Sequence, residues 1–360
     1  MMHRTTRESS RLFPRQGVGC RPIRVGQTAL VASLVAWLMT SSASAQPDVG
    51  LPFLLIWPST RATALAGAMT GLADDAEAAY WNPGGLAYQK GIRALGALYS
   101  WLPDIHPGML YGYTSLGYGF PALRRDDVGM YLGVSTSYLS LGETDVVNER
   151  GDYLGTYSTY RFAAGPHCAI RLHEQVGVGL AVKVVRSFLG PDWYRGQDDL
   201  WWRGIDHPGS GVTVAVDIGV LYRPVKAVSI GLALANLGPG ISYTSSGESD
   251  LMPSILRLGA CATVVDVSWL RISSVAELDR LLVGSRVRQL QGTRAAVGAE
   301  ANLARFLALR CGYSVSPSGG RSGFCWGVGV GWKIIGLEFA MDGLTDCWRL
   351  AVRGPWLGRP

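Results

Sequence analysis

The sequence predicts an all-β fold: a fourteen-stranded antiparallel transmembrane β-barrel with a short helical N-terminal plug. Three observations lead there. Apolar residues alternate with small or polar ones in many short segments. The links between those segments are by turns tight and long. Only 17% of residues are charged and 47 of the 360 are glycine, against roughly 25% charged and 7% glycine in ordinary domains. A hydrophobic content of 48% excludes a disordered chain. The glycines keep no three-residue period, so collagen is excluded too.

The alternation is plain in three stretches. Val176, Val178, Leu180, Val182 and Val184 are interleaved with Gly177, Gly179, Ala181 and Lys183. Val212, Val214, Val216, Ile218, Val220 and Tyr222 are interleaved with Thr213, Ala215, Asp217 and Gly219. Phe324, Trp326, Val328, Val330 and Trp332 are interleaved with Cys325, Gly327, Gly329 and Gly331. A period of two marks strands. One face strongly apolar and the other small or polar suits a sheet with lipid outside and a wet or plugged lumen. On this reading Val216 faces out and Ala215 faces in. A soluble β-sandwich gives the same alternation, so the links have to decide.

The pattern places strands near 91–101, 108–118, 127–140, 157–172, 175–187, 211–223, 226–236, 255–265, 269–279, 294–303, 306–314, 323–333, 335–342 and 346–353. Links after even-numbered strands are mostly tight, such as Arg223-Pro224-Val225. Those after odd-numbered strands are mostly longer: 141–156, 188–210, 237–254, 280–293 and 315–322. Short turns on one rim and long loops on the other are the habit of bacterial outer-membrane barrels. A sandwich has no reason to follow that parity. It puts both termini in the periplasm. Ser274-Val-Ala-Glu277 also reads as a helix-capping box, but Leu270, Ile272, Ser274, Ala276 and Leu278 alternate, and a strand is expected.

The N-terminus reads as an address. Arg4, Arg7, Arg11, Arg15, Arg21 and Arg24 precede an apolar run over 28–39, and Ala43-Ser44-Ala45 follows it. This is the order of a secretory signal peptide over 1–45; an anchored N-terminal helix is the alternative. The run is too short to span a bilayer, which takes about 20 residues. Beyond residue 45 the balance is 27 basic to 26 acidic residues, so no basic stripe for nucleic acid remains. Cys168, Cys261, Cys311, Cys325 and Cys347 are odd in number and show no C-x-x-C spacing. Neither a zinc site nor a redox motif is indicated.

Residues 53–90 do not alternate, and 46–90 form the N-terminal periplasmic or plug segment, ahead of the barrel at 91–354. Small side chains between Arg61 and Ala73 allow close packing inside a barrel; a periplasmic linker with a helix is the other reading. Asp74 or Asp75 is placed to cap a short helix that Asn82-Pro83 ends.

Catalysis is not expected. No H-E-x-x-H, G-x-S-x-G or P-loop occurs, and no metal or cofactor is implied. Asp206-His207 near Ser210 is adjacency in sequence, not a triad. Trp193, Trp201 and Trp202 lie among charged residues in the link 188–210 and are the partner-loop candidates; an aromatic girdle is the alternative. Tyr99, Trp101, Tyr111, Tyr138, Tyr222, Trp269 and Trp348 fall near strand ends and read as girdle.

One stretch carries a family likeness. Arg61, Gly67-Ala68, Ala73-Asp74-Asp75-Ala76 and Tyr80-Trp81-Asn82-Pro83-Gly84-Gly85-Leu86 resemble the N-terminal signature of the PorV/PorQ family, within the FadL-like group of outer-membrane barrels. Weaker likeness runs on to about residue 353, with Gly84 where alanine is usual. The resemblance implies a non-enzymatic barrel in the bacterial outer membrane, surrounded by its lipid. It implies binding or shuttling of exported proteins through their C-terminal signal domains in type IX secretion and surface attachment. The alternative implied by the same group is uptake of a hydrophobic ligand. Arg61, Asp74, Asp75, Trp81, Asn82 and Pro83 are the plug or binding candidates.

Overall fold

The computed structural model describes residues 49–355, apart from 121–128, 148–149, 191–208, 244–247, 284–291, 317–321, 333 and 346. The expected signal peptide and the aromatic cluster of Trp193, Trp201 and Trp202 lie outside the described residues. Fourteen strands follow one another: β1 Gly91–Ser100, β2 Leu110–Phe120, β3 Met130–Val147, β4 Tyr153–His173, β5 Val176–Phe188, β6 Ser210–Val225 and β7 Val228–Leu237. The second half comprises β8 Ile255–Asp266, β9 Leu270–Leu281, β10 Thr293–Leu303, β11 Leu307–Val315, β12 Gly323–Trp332, β13 Ile335–Asp342 and β14 Cys347–Gly354. Each strand is antiparallel to the next. Pairing of β1 with β14, with Leu95 opposite Arg353, closes the barrel. Closure leaves no sheet edge with unpaired backbone groups.

The side-chain alternation falls as the period-two pattern requires. On β6, Thr213, Ala215 and Asp217 are buried, while Val212, Val214 and Ile218 are exposed and Val216 is half-buried. On β5, Gly179, Ala181 and Val185 are buried and Leu180, Val182 and Val184 exposed. Large apolar side chains thus cover the outer wall. Leu116, Leu132, Ile230, Leu258, Leu309 and Leu350 on other strands are exposed in the same way. The segment with helical spacing, Leu270–Leu281, is a strand.

Two expectations about the strands change. The link expected over 141–156 is largely strand, because β3 and β4 continue to Val147 and back from Tyr153. A register shift lies between Ser140 and Glu143. Tyr99 and Tyr111 do not belong to a girdle. They pair across β1 and β2 on the inner face and are buried. The Tyr99 hydroxyl donates to the Trp57 carbonyl at 2.7 Å, and the two rings lie 5.3 Å apart. Tyr138, Tyr222, Trp269 and Trp348 are exposed.

The core lies between the inner wall and the chain that precedes β1. Leu51, Phe53, Leu65, Met69 and Trp81 are buried with Tyr99, Tyr111, Val185 and Val275 of the wall. This N-terminal chain is built of short pieces: 3₁₀ turns at Pro52–Leu55 and Pro83–Tyr88, and helical turns at Thr60–Ala64 and Ala78–Trp81. Ser59 starts the first helical turn, its hydroxyl accepting from the Ala62 amide at 3.4 Å. The second begins later than expected. Neither Asp74 nor Asp75 caps it; Glu77 precedes its first residue and makes no side-chain cap. Asp75 instead accepts from the Glu77 amide at 2.8 Å and so shapes the turn ahead of the helix.

Candidate functional site

Charged side chains from the N-terminal chain meet charged side chains from β10, β11, β13 and β14 in one buried cluster. Arg61 sits at its centre. Its Nε and Nη2 each donate to Glu300 at 2.8 Å, and its Nη1 donates to Asp74 at 2.6 Å and Asp75 at 2.5 Å. A planar guanidinium fork matches a carboxylate in this two-toothed way, which a lysine cannot do. Arg310 on β11 then bridges Glu300 at 2.6 Å and Glu338 at 2.9 Å. Arg353 on β14 bridges Glu338 at 3.1 Å and Asp75. Thr60 donates to Glu338 at 2.9 Å. Three arginines thus hold five carboxylates when Glu77 is included, and every member but Asp74 is buried.

Glu77 ties the cluster to the signature block. It accepts from Ser59 Oγ at 2.5 Å and from Trp81 Nε1 at 2.9 Å. Burial and the neighbouring Asp75 charge, opposed by Arg353, push its carboxyl up to about 7. Asp75 goes the other way. Burial alone would raise it, but Arg353 and then Arg61 hold it well below the usual carboxylate range, at about 2. The pair is thus pulled apart: Asp75 is held toward its anion and Glu77 is pushed toward its protonated form. A buried acid with a raised pKa binds more protons folded than unfolded. Its stabilising effect is complete below the unfolded value near 4.5 and declines as pH rises toward 7. Glu77→Gln should flatten that decline in a pH series of thermal unfolding, while the loss of stability below pH 3.8, which belongs to Asp75, persists. A pH profile unchanged by Glu77→Gln would remove Glu77 from this role.

Asn82 and Pro83 work on the opposite wall. Asn82 Nδ2 donates to the carbonyls of Thr70 and Val220, both at 3.0 Å. Its Oδ1 accepts from the Gly84 amide at 3.0 Å and starts the 3₁₀ turn that Pro83 enters. The wall has no side chain here. A Cβ on Gly219 would lie 2.2 Å from Asn82 Oδ1, and one on Gly179 would lie 2.2 Å from the Pro83 carbonyl carbon. The inward glycines of β5 and β6 are thus the space into which the Asn-Pro block fits. Trp81 lies beneath Arg257 of β8, whose guanidinium is 4.7 Å from its ring centre and donates to the Tyr80 carbonyl at 2.8 Å.

Of the expected residues, Arg61, Asp74 and Asp75 come together in the cluster. Trp81 joins through Glu77, and Asn82 and Pro83 sit against β5 to β7. Glu77, Glu300, Arg310, Glu338 and Arg353 were not singled out from sequence as site residues. The available signal was an ionisable residue at an inward strand position, as where Glu300 lies between Ala299 and Ala301. Among the described residues no group of His, Cys, Asp and Glu is arranged to hold a metal ion, and the five described cysteines are free thiols.

The family model of the type IX secretion system protein PorV matches residues 43–288, more than half of the chain. The chain belongs to the PorV family. Within the family match lie the Arg61 to Leu86 block and strands up to β9; the strand partners Glu300, Arg310, Glu338 and Arg353 lie beyond it. No curated protein matches the sequence. Among solved structures, the CymD monoaromatic hydrocarbon channel is similar, with a TM-score of 0.51 and 10% identity over 83% of this chain and 96% of that one. A Pseudomonas aeruginosa FadL homologue has a TM-score of 0.46 and 11% identity over 86% of this chain and 97% of that one. At such identity CymD shares the fold with this PorV-family chain, and the FadL homologue adds no argument.

Proposed function

We propose that this PorV-family chain is a non-enzymatic outer-membrane barrel that binds exported proteins in type IX secretion. Residues 1–45 are a signal peptide, residues 46–90 carry the plug, and strands 91–354 cross the membrane with the short turns and termini in the periplasm. One observation carries the reading: the inner wall is locked to the N-terminal chain by buried ion pairs. Arg61 reaches Glu300 on one side while Asn82 holds the β6 carbonyl on the other. A lumen filled and crossed in this way favours a docking body over a pathway. A channel for hydrophobic molecules, the alternative function, would need an apolar lumen, and the wall here presents Arg310, Glu338 and Arg353.

Docking then falls to the rim of long links, where Trp193, Trp201 and Trp202 are the proposed anchors. Truncating an interface anchor typically costs 2 kcal/mol or more. Replacing all three by alanine should weaken capture of a C-terminal signal domain by at least roughly 30-fold and leave the barrel folded. Co-purification with a tagged signal domain measures this. Full capture by the triple variant would remove these residues from the interface.

A further inference from the structure

The buried cluster does not account for all the cations at the inner end of the barrel. A cavity of about 710 Å³ lies at the rim of short turns, lined by residues of the turns after β4, β6, β8 and β10 as well as by the cluster itself. Arg61, Arg310 and Arg353 on its wall are committed to Asp74, Asp75, Glu300 and Glu338. Arg93 and Arg223 line the same cavity. Among the described residues neither has a carboxylate within ion-pairing distance.

Arg93 is the decisive side chain. It projects inward from β1, is only 6% exposed, and its buried Nε has no hydrogen-bond partner among the described residues. Burying a guanidinium unpaired is expensive, whereas a guanidinium that meets an oxyanion is stabilised by charge and by two parallel hydrogen bonds. Arg223 is half-buried, its guanidinium 3.9 Å from the Tyr88 ring centre. Stacking of that kind occupies the face of the group and leaves its N–H edge open to an oxyanion. Lys226, exposed in the turn after β6, adds a further positive charge to the lining.

We propose that this cavity binds an oxyanion, a carboxylate or phosphate group, at Arg93, with Arg223 adding positive charge on the same lining. The ligand enters from the short-turn rim, the face opposite the proposed docking loops. The site is therefore independent of the secretion reading.

Isothermal titration of the detergent-purified chain tests it with three probes: inorganic phosphate, citrate and a tetraglutamate peptide. At least one should bind, more weakly as salt rises, and Arg93→Gln should weaken that binding at least tenfold. Binding of phosphate alone identifies a free phosphate, of citrate alone a small polycarboxylate, and of tetraglutamate alone an acidic peptide segment; each supports the site. Should Arg93→Gln fail to fold, Arg223→Gln, a half-buried position, carries the same tenfold expectation. Failure of all three probes at millimolar concentration, or wild-type affinity in the folded variants, overturns the proposal.

Discussion

Arg61→Met should destabilise the folded chain by about 3–5 kcal/mol, the cost of leaving buried carboxylates without their partner. Methionine keeps much of the length and apolar stem but removes five contacts: two to Glu300, two to Asp74 and one to Asp75. Arg310 still neutralises part of Glu300 and Arg353 part of Asp75, so three arginines for five acids become two. Arg61→Lys should recover little, since an ammonium cannot reach both Glu300 oxygens as the fork does. Glu300→Gln added to Arg61→Met should restore part of the loss, because it removes the stranded charge. A double-mutant cycle from urea unfolding isolates that coupling. The protein should also become protease-sensitive within residues 52–88 while the strands stay protected. A loss below about 1 kcal/mol would mean that packing of Leu65, Met69 and Trp81, rather than charge, fixes the proposed plug.

The strands were legible because burial on one side writes itself into the sequence at period two. Val212 to Tyr222 reads the same in sequence and structure. The signal fades where neither face is apolar. Glu143, Thr144 and Asp145 on β3 are all exposed, and a register shift at Ser140 breaks the phase, so strand looks like loop there. Tyr99 and Tyr111 show a different limit. An aromatic near a strand end suits a lipid interface or an inner wall equally, and only the phase set by buried Leu95 and Ala97 distinguishes them. The N-terminal half of the buried cluster was readable, since Arg61, Asp74 and Asp75 lie within fourteen residues of each other. Its other half was not. Glu300 is 239 residues from Arg61, and Arg353 is 278 from Asp75. Pairing over such separations depends on barrel closure, which no local pattern contains.

Ile218→Arg should cost about 2–4 kcal/mol, and Val212→Arg no more than about 1 kcal/mol, if the outer wall faces lipid. Both side chains are exposed on the same face of β6, at 43% and 63%. Ile218 lies near the middle of the strand, opposite Leu180 of β5 and Leu234 of β7, and Val212 lies near its start, opposite Arg186 of β5. In water the two substitutions would be similar and mild, since an exposed arginine on either strand position keeps its hydration. In a bilayer the guanidinium at the middle must lose water or drag it in, whereas the one near the start reaches the interface. The difference between the two positions, more than either value, therefore reports a hydrocarbon slab of finite thickness. Reversible folding into lipid vesicles supplies the measurement. Ala215→Ser, three residues from Ile218 on the inner face, serves as the control and should be mild. Equal costs at Ile218 and Val212 would contradict the membrane reading while leaving the closed barrel intact.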